Sequence, residues 1–245
     1  LRLVWNYQTR SELFDTFFPP PALFDSFEET TNADIDHTNM YLYSYFHLPN
    51  ELSITIGASA DLYKNDIDGS DNLDLEENQF NPKFGVTWKP FQNTTLRGAV
   101  FRTLKRTLVN DQTLEPTQVA GFNQFFDDDD ASQTFVYGVG LDQKFSESLF
   151  GGVESRKRNL TVPQQITDLN TFETVVREFD WDEYFTRAYL HWAPVNWMAL
   201  SAEYQYEKFE RDVEDNFAEI KDLVTHKIPL KANFFGPFGG AASIV

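Results

Sequence analysis

The sequence predicts an all-β fold, a transmembrane antiparallel up-and-down β-barrel of which about 11–12 strands are visible in this chain. Three observations favour this class. Apolar and polar residues alternate along many segments, short and long connections alternate along the chain, and aromatic residues make up 16% of the sequence. A soluble protein would have to bury most of those rings, whereas a membrane barrel displays them to lipid and at the two interfaces.

A period of two dominates the hydrophobic pattern. Between Leu52 and Leu62 every even position is apolar and every odd position is small or polar, which places the two sets on opposite faces of a strand. We predict eleven strands, several of them longer than the about 9–11 residues that a tilted membrane-spanning strand needs. The predicted ranges are 1–10, 39–48, 51–64, 81–90, 94–106, 132–145, 148–161, 176–192, 196–211, 218–235 and a last strand from about 239.

Connection length alternates without exception. Short turns are predicted at 49–50, 90–93, 145–148, 193–196 and 236–239, and long connections at 11–38, 65–80, 107–131, 162–175 and 212–217. Antiparallel neighbours place successive connections at opposite ends of the sheet, so we expect short periplasmic turns and long extracellular loops. Such long connections would be unusual in a compact soluble domain.

Three of the long connections carry the whole net charge of −18. Segments 11–39, 64–79 and 107–132 hold 19 acidic residues against one base, Lys64. The simpler interpretation is that these acidic loops stay solvated, and the alternative is that they bind divalent cations at a surface covered by lipopolysaccharide. Because phosphate binding needs a basic surface, no nucleic-acid partner is expected.

One acidic turn is a candidate calcium site. Asp66, Asp68 and Asp71 supply several carboxylates at close spacing, which hard cations prefer. Gly69 stands fourth when the loop is counted from Asp66, whereas an EF-hand loop has its glycine at the sixth position. A plain acidic turn is therefore the simpler interpretation, with Ca²⁺ as the alternative and no other cofactor predicted.

No catalytic residue is predicted, so the chain is expected not to be an enzyme. The four histidines lack metal-binding spacing, and neither a nucleophile elbow nor a glycine-rich phosphate loop occurs. The absence of cysteine excludes disulfides and thiolate metal sites. No apolar run is long enough for a transmembrane helix.

The polar faces of the predicted strands carry charges of both signs, as expected for the wall of a water-filled or plugged barrel. The predicted inward-facing charges are Lys83, Lys89, Arg97, Asp142, Glu154, Arg187, Glu203, Glu207, Lys227 and Lys231. The alternative is that these charges only neutralise one another and hold water. Gly138 and Gly140 share a polar face, where we expect glycine to relieve crowding or to permit bending of the strand.

Aromatic residues near predicted strand ends are expected to form two interfacial girdles. The girdle residues are Trp88, Trp192, Trp197, Tyr204 and Tyr206, and Tyr41, Tyr43 and Tyr45 are further candidates. Because Trp192 and Trp197 flank one short turn and Trp88 precedes another, the periplasmic girdle is the better supported.

Residues 81–90 and 94–102 resemble a hairpin found in the barrels of TonB-dependent receptors. The matching residues are Asn81-Pro82-Lys83-Phe84-Gly85-Val86-Thr87-Trp88-Lys89-Pro90 and Thr94-Thr95-Leu96-Arg97-Gly98-Ala99-Val100-Phe101-Arg102. Residues 106–124 are similar to large outer-membrane proteins that place tetratricopeptide repeats before a receptor-like barrel. Within them, Leu114-Glu115-Pro116 resembles a loop segment of those barrels, although its glutamate here precedes the proline. The resemblance covers roughly residues 80–160.

The resemblance implies a transport or export channel of the bacterial outer membrane, with outer-membrane lipid and lipopolysaccharide around it. It also implies a periplasmic repeat or plug domain outside this chain. The alternatives are a TonB-dependent receptor barrel that imports a chelate or sugar, and a structural or surface-assembly anchor. A plug and a TonB box are not found in the sequence, and a closed bacterial barrel needs an even number of strands. We therefore expect residues 1–245 to be a fragment of one barrel domain, truncated at both ends.

Overall fold

The computed structural model describes residues 2–11, 31–67, 74–106, 113–124, 128–167, 174–212, 220–236 and 240–244. The regular structure in these ranges is β-strand. The strands are β1 (Arg2–Ser11), β2 (Thr31–Leu48), β3 (Leu52–Ile67), β4 (Leu75–Phe91), β5 (Thr94–Leu104), β6 (Gln118–Val119), β7 (Phe122–Asn123), β8 (Gln133–Lys144), β9 (Leu149–Thr167), β10 (Thr174–Val195), β11 (Met198–Arg211), β12 (Asp222–Lys227), β13 (Leu230–Phe235) and β14 (Ala241–Ile244). Within these ranges no helix has the length and apolarity to cross a membrane.

Twelve strands form one antiparallel up-and-down sheet, and each main strand pairs with the next one along the chain. The predicted fold class is confirmed. The strand predicted at 218–235 is interrupted, because β12 and β13 pair with successive parts of β11 on either side of Pro229. Proline has no amide hydrogen to donate to the ladder. Its carbonyl still accepts a hydrogen bond of 3.0 Å from the Glu203 amide.

The strands extend beyond their predicted ends. β9 has 19 residues and β10 has 22, and their pairing runs up to Thr167 and Thr174. Most of the loop predicted at 162–175 is therefore strand, and the loop predicted at 65–80 shrinks in the same way. The physical reason is that neither face of these extensions is consistently apolar, so the hydrophobic alternation that marks a strand is lost while the backbone hydrogen bonding continues.

The small hairpin β6–β7 packs against one face of the sheet, which we call the covered face; the opposite side is the open face. Its two-residue turn has positive φ at both Ala120 (47°) and Gly121 (85°), the conformation of a tight type I′ hairpin. Val119 and Phe122 are buried with Ala99, Phe101 and Val136 of the sheet. The segment lies within the long connection predicted at 107–131, and the structure adds to that prediction that part of the connection forms a hairpin on the sheet.

Apolar side chains, exposed or half-buried, form a band along the open face. On β3 they are Leu52, Ile54, Ile56, Ala58, Ala60 and Leu62. Phe84 on β4, Val139 on β8 and Val153 on β9 continue the band and are 45%, 64% and 49% exposed. The covered face carries buried polar residues together with the apolar cluster under the hairpin. The two faces thus differ along the length of the band.

The border of this apolar band, on the side away from the short turns, slopes across the sheet. The band is followed by Lys64 on β3 and by Lys208 on β11. Paired residues of neighbouring strands form one row across the sheet from Lys208 to β3. In order, this row consists of Lys208, Tyr184, Lys157, Tyr137, Val100, Phe84 and Ile56. Ile56 is eight residues (64 minus 56) before Lys64.

Six strand spacings separate β3 from β11 in the sheet order β3-β4-β5-β8-β9-β10-β11. Eight residues at about 3.3 Å, over six spacings at about 4.8 Å, correspond to a mean slope of about 40° between Lys64 and Lys208. The slope is uneven, because Arg102 on β5 lies two residues beyond the row of Lys208 and Lys157 on β9 lies in that row. The border therefore rises mainly between β3 and β5 and follows the pairing row from β9 to β11.

Candidate functional site on the covered face

A buried ion-pair network fixes the segment before the hairpin to the covered face. Lys83 Nζ lies 3.0 Å from Glu115 Oε1, and Arg106 Nη1 lies 3.2 Å from Glu115 Oε2 and 3.3 Å from Asp61 Oδ1. All four side chains are at most 6% exposed. Two acids face two bases, so the network is neutral and each charge has a partner, as burial in low dielectric requires.

Two amide nitrogens and one imidazole nitrogen also contact the Asp61 carboxylate. Asn39 Nδ2 and Asn81 Nδ2 each donate at 2.7 Å, to Oδ1 and Oδ2 of this carboxylate, and His37 Nε2 lies 3.0 Å from Oδ1. These residues come from three neighbouring strands whose register brings them level with one another. The carboxylate is thereby held rigidly between the strands.

The residue that follows the hairpin is anchored to the same network. Lys83 Nζ donates to Gln124 Oε1 at 2.6 Å, and Gln124 Nε2 donates to the Pro116 carbonyl at 2.6 Å. Tyr43 OH donates to Glu115 Oε1 at 2.8 Å. Both ends of the hairpin segment are thus tied to the sheet.

Tyr41 and Tyr43 therefore do not belong to an interfacial girdle. The Tyr41 hydroxyl donates to the Leu114 carbonyl at 3.0 Å, and the Tyr43 hydroxyl binds Glu115. Both residues share the parity of Asn39 along β2, which places them on the covered face. The expectation of a girdle role for this pair is wrong because a tyrosine near a strand end also serves as a hydrogen-bond donor to an inserted segment.

Two glycines, Gly85 and Gly138, leave the space on the sheet that the hairpin side chains occupy. We call this space the seat of the hairpin. A Cβ atom on Gly85 would lie 2.7 Å from Val119 Cγ1, and one on Gly138 would lie 2.5 Å from the Phe122 ring. The Arg97 guanidinium carbon lies 5.2 Å from the centroid of the same ring. The crowding predicted at Gly138 is confirmed, and its cause is the hairpin.

Four of the predicted inward-facing charges meet in a second cluster. Arg97 Nε donates to Asp142 Oδ2 at 2.8 Å, and Arg97 Nη2 donates to Glu154 Oε2 at 3.1 Å. Arg187 Nη2 lies 3.5 Å from the same Glu154 oxygen, and the Tyr189 hydroxyl donates to Asp142. The cluster brings together side chains from four neighbouring strands on the covered face.

The other predicted charges lie apart from this cluster. Lys83 belongs to the first network, and Lys227 Nζ lies 2.7 Å from Glu207 Oε2. Glu203 accepts from Gln205 Nε2 at 3.0 Å, and Lys231 is exposed opposite Ser201. Lys89 lies 3.4 Å from Glu51 beside a short turn, and both side chains are exposed. The orientation of this set toward the interior of a closed barrel stays a prediction.

Two arginines were missed by the sequence reasoning. Arg158 binds Asp128 and lies 2.5 Å from Glu183, while the Arg156 guanidinium carbon lies 4.6 Å from the Phe185 ring centroid. Both share the parity of Glu154 along β9, so the period of two was the available signal. A cavity of about 240 Å³ separates Arg156 and its neighbours from the hairpin.

Part of the acidic loop folds back onto this region. Asp128 binds Arg158, and the neighbouring Asp129 is partly buried. Burial first, and then the charges of Asp128 and Asp130, raise the pKa of Asp129. The run of aspartates is thus more than a solvated tail, since one of its members neutralises a buried arginine.

Comparisons with known proteins test the fold. No family model matches the sequence, and no curated protein matches it either. Solved structures do match. The iron transporter of Neisseria meningitidis has a TM-score of 0.63 and 10% identity, with 84% of this chain and 31% of that chain covered.

Two further structures are similar. The ferripyoverdine receptor of the Pseudomonas aeruginosa outer membrane has a TM-score of 0.58 and 9% identity, with 95% of this chain and 32% of that chain covered. The alcaligin outer-membrane receptor of Bordetella pertussis has a TM-score of 0.53 and 16% identity, with 85% of this chain and 36% of that chain covered. The sheet shares its fold with the β-barrels of these outer-membrane proteins.

The chain spans about a third of the length of the matched structures. The predicted girdle residues lie near strand ends. Trp88, Trp192 and Trp197 are 42%, 46% and 55% exposed beside the short turns. Tyr204 and Tyr206 lie at the opposite border of the apolar band, just before Lys208. Their interfacial role stays a prediction.

The candidate calcium residues fall only partly within the described ranges. Asp66 pairs with Lys64, whereas Asp68 and Asp71 lie outside the described residues. Among the residues that the structure describes, no group of three or more metal-ligating side chains is found. Calcium binding therefore stays a prediction.

Proposed function

We propose that this chain forms part of the wall of a transport barrel in the bacterial outer membrane. In this proposal the open face contacts lipid, the covered face lines the passage, and the chain has no enzymatic role. The observation that carries the proposal is the contrast between the apolar band of the open face and the buried polar residues of the covered face, which is the pattern of a membrane barrel wall. The matched structures, all outer-membrane receptors or transporters, support it.

The hairpin β6–β7 acts as a built-in constriction of that passage. Its residues Val119 and Phe122 are 0% and 1% exposed, so the hairpin is seated on the wall and does not extend outward as a surface loop. The seat combines apolar packing with the neutral network around Glu115. A segment held in this way narrows the passage by its own volume and sets which solutes pass.

The direction of transport separates two forms of the proposal. An export or general transport channel fits a wall of mutually neutralised charges. Uptake of a metal chelate is favoured by the matched structures, which include an iron transporter and the receptors for alcaligin and ferripyoverdine. In either form, a plug or periplasmic repeat domain outside this chain and lipopolysaccharide at its outer rim are part of the proposal. A purely structural anchor would need no buried hairpin in its passage.

The constriction is tested by unseating the hairpin in the full-length protein. Gly138→Val places methyl groups where the Phe122 ring lies, at a site where a bare Cβ would be only 2.5 Å away. Gly98→Val is the matched control, since Gly98 lies on the neighbouring strand and faces the open side, where a Cβ would meet Val86 Cγ1 at 3.4 Å and the Gly138 carbonyl oxygen at 3.9 Å. In planar bilayers we expect larger single-channel conductance from Gly138→Val than from the parent protein or from Gly98→Val.

Two outcomes would contradict the proposal. Equal conductance of the two glycine variants, with both folded by their heat-dependent mobility on gels, would show that the hairpin does not restrict a passage. A full-length protein that stays soluble without detergent and fails to insert into bilayers would remove the membrane placement itself.

A further inference from the structure

Basic side chains border the apolar band on every second strand. The first charged residue of the open face beyond the band is Lys64 on β3, Arg102 on β5, Lys157 on β9 and Lys208 on β11. We call these four residues the basic edge. The chain has 38 acidic and 20 basic residues, so a border at which the first charged residue is basic on four strands is not what the composition alone predicts.

Acidic and amide side chains lie one step beyond the basic edge and hold it in place. Lys64 binds Asp66, Lys157 Nζ lies 3.1 Å from Asp182 Oδ2, and Lys208 Nζ lies 2.6 Å from Glu210 Oε1. These three lysine side chains are 50%, 35% and 33% exposed. Pairs with this exposure are worth little in water, so the ammonium groups are oriented by their partners and remain accessible to a competing anion.

Lys157 and Lys208 form the best-defined part of the basic edge. They lie on either side of Tyr184 in one row of the sheet, and their Nζ atoms are 5.0 Å and 5.8 Å from its ring centroid. Two cations are thus held above one aromatic ring at the border of the apolar band. This is the level at which amphipathic rings lie in a membrane and at which lysines extend toward lipid head groups.

We propose that the basic edge binds the phosphate groups of an anionic glycolipid of the outer leaflet, namely lipid A. The charge is complementary, and the apolar band directly below offers the acyl chains a surface of matching level. A basic side chain near an anionic lipid surface adds about 1 kcal/mol of attraction, a factor of about five in affinity. This inference rests on the membrane placement proposed above.

The test measures lipid A retained by the full-length protein in detergent, by native mass spectrometry. The double variant Lys157→Gln/Lys208→Gln should bind bisphosphorylated lipid A about 30-fold more weakly than the parent, the factor for two such side chains. Lys157→Arg/Lys208→Arg should retain binding. Lys89→Gln/Lys144→Gln is the matched control, because these two lysines also pair with exposed glutamates but lie beside the short turns.

Several results would overturn the inference. Equal loss in the Lys89/Lys144 control would show a general charge effect, and undiminished binding by the Lys157/Lys208 variant would show that the edge is not the site. Displacement of lipid A by inorganic phosphate alone would assign a free-phosphate site. Failure of the parent protein to insert into bilayers removes the proposed function, whereas normal insertion with unchanged lipid binding removes only the lipid A site.

Discussion

At the scale of single residues, the same charged side chains do different things at buried and at exposed positions. On the covered face, Lys83 and Glu115 are 1% and 2% exposed and belong to a neutral network. Beside the short turns, Lys144 and Glu147 are 43% and 93% exposed and pair at 2.8 Å. A buried pair cannot lose one member without leaving a desolvated charge, whereas an exposed pair can.

This contrast predicts unequal effects of removing a glutamate. Glu115→Ala leaves Lys83 and Arg106 buried without their shared partner, so we expect a loss of about 3–5 kcal/mol in the free energy of unfolding. Glu147→Ala, the control, should cost less than about 1 kcal/mol. Urea unfolding followed by gel mobility measures both. Similar small losses in the two variants would mean that water reaches the network around Glu115 and that its ion pairs contribute little to stability.

At the scale of elements, the hairpin β6–β7 is the part of the fold with the least stability of its own. Each of its strands has two residues, and an isolated hairpin of that size is not stable in water. Its position depends on the Gly85 and Gly138 seat and on the anchors at Glu115 and Gln124. The long strands β9 and β10, in contrast, are held by a continuous ladder of 19 paired positions.

Truncation of the ring in the seat should release the hairpin. Phe122→Ala removes a fully buried ring, a change that costs about 3–5 kcal/mol in protein cores. We expect faster cleavage of residues 113–124 by an added protease, with the rest of the sheet resistant. Phe145→Ala, at a short turn where the ring is 59% exposed, is the control. Cleavage at the parent rate in Phe122→Ala would show that the ring does not hold the hairpin.

At the scale of the whole molecule, the two faces of the sheet are the two sides of the proposed wall, with the open face toward lipid and the covered face toward the passage. On β8 and β9 the apolar band includes Val139 and Val153, and the polar extension above it begins with Lys157 and Thr161. Because the chain has no cysteine, single cysteines report on these levels without a background signal.

Accessibility along the open face should change abruptly at the border. In lipid vesicles, Val139→Cys should resist a water-soluble maleimide, because the apolar band is covered by acyl chains. Thr161→Cys, on the same face beyond the basic edge, should react rapidly. Both should react after unfolding in urea, which controls for intrinsic reactivity. Equal reactivity of the two folded variants would contradict the membrane placement of the band.

The sequence by itself determined the strand faces, the number of main strands and the alternation of turn lengths. These features depend on side chains two residues apart and on local turn chemistry, which are written along the chain. Leu52 to Leu62 showed the open face of β3 directly, and Trp192 and Trp197 marked a short turn. The strand extensions gave no such signal, since neither of their faces is consistently apolar.

Only the tertiary structure decided the contacts between distant segments. Tyr43 meets Glu115 across 72 positions of sequence, and Lys83 meets Gln124 across 41. These meetings depend on the register and tilt of the whole sheet, which bring one loop back onto the covered face. The same two properties place Lys64 and Lys208 along one sloping border, although local sequence shows each of them only as a charged residue at the end of an apolar strand.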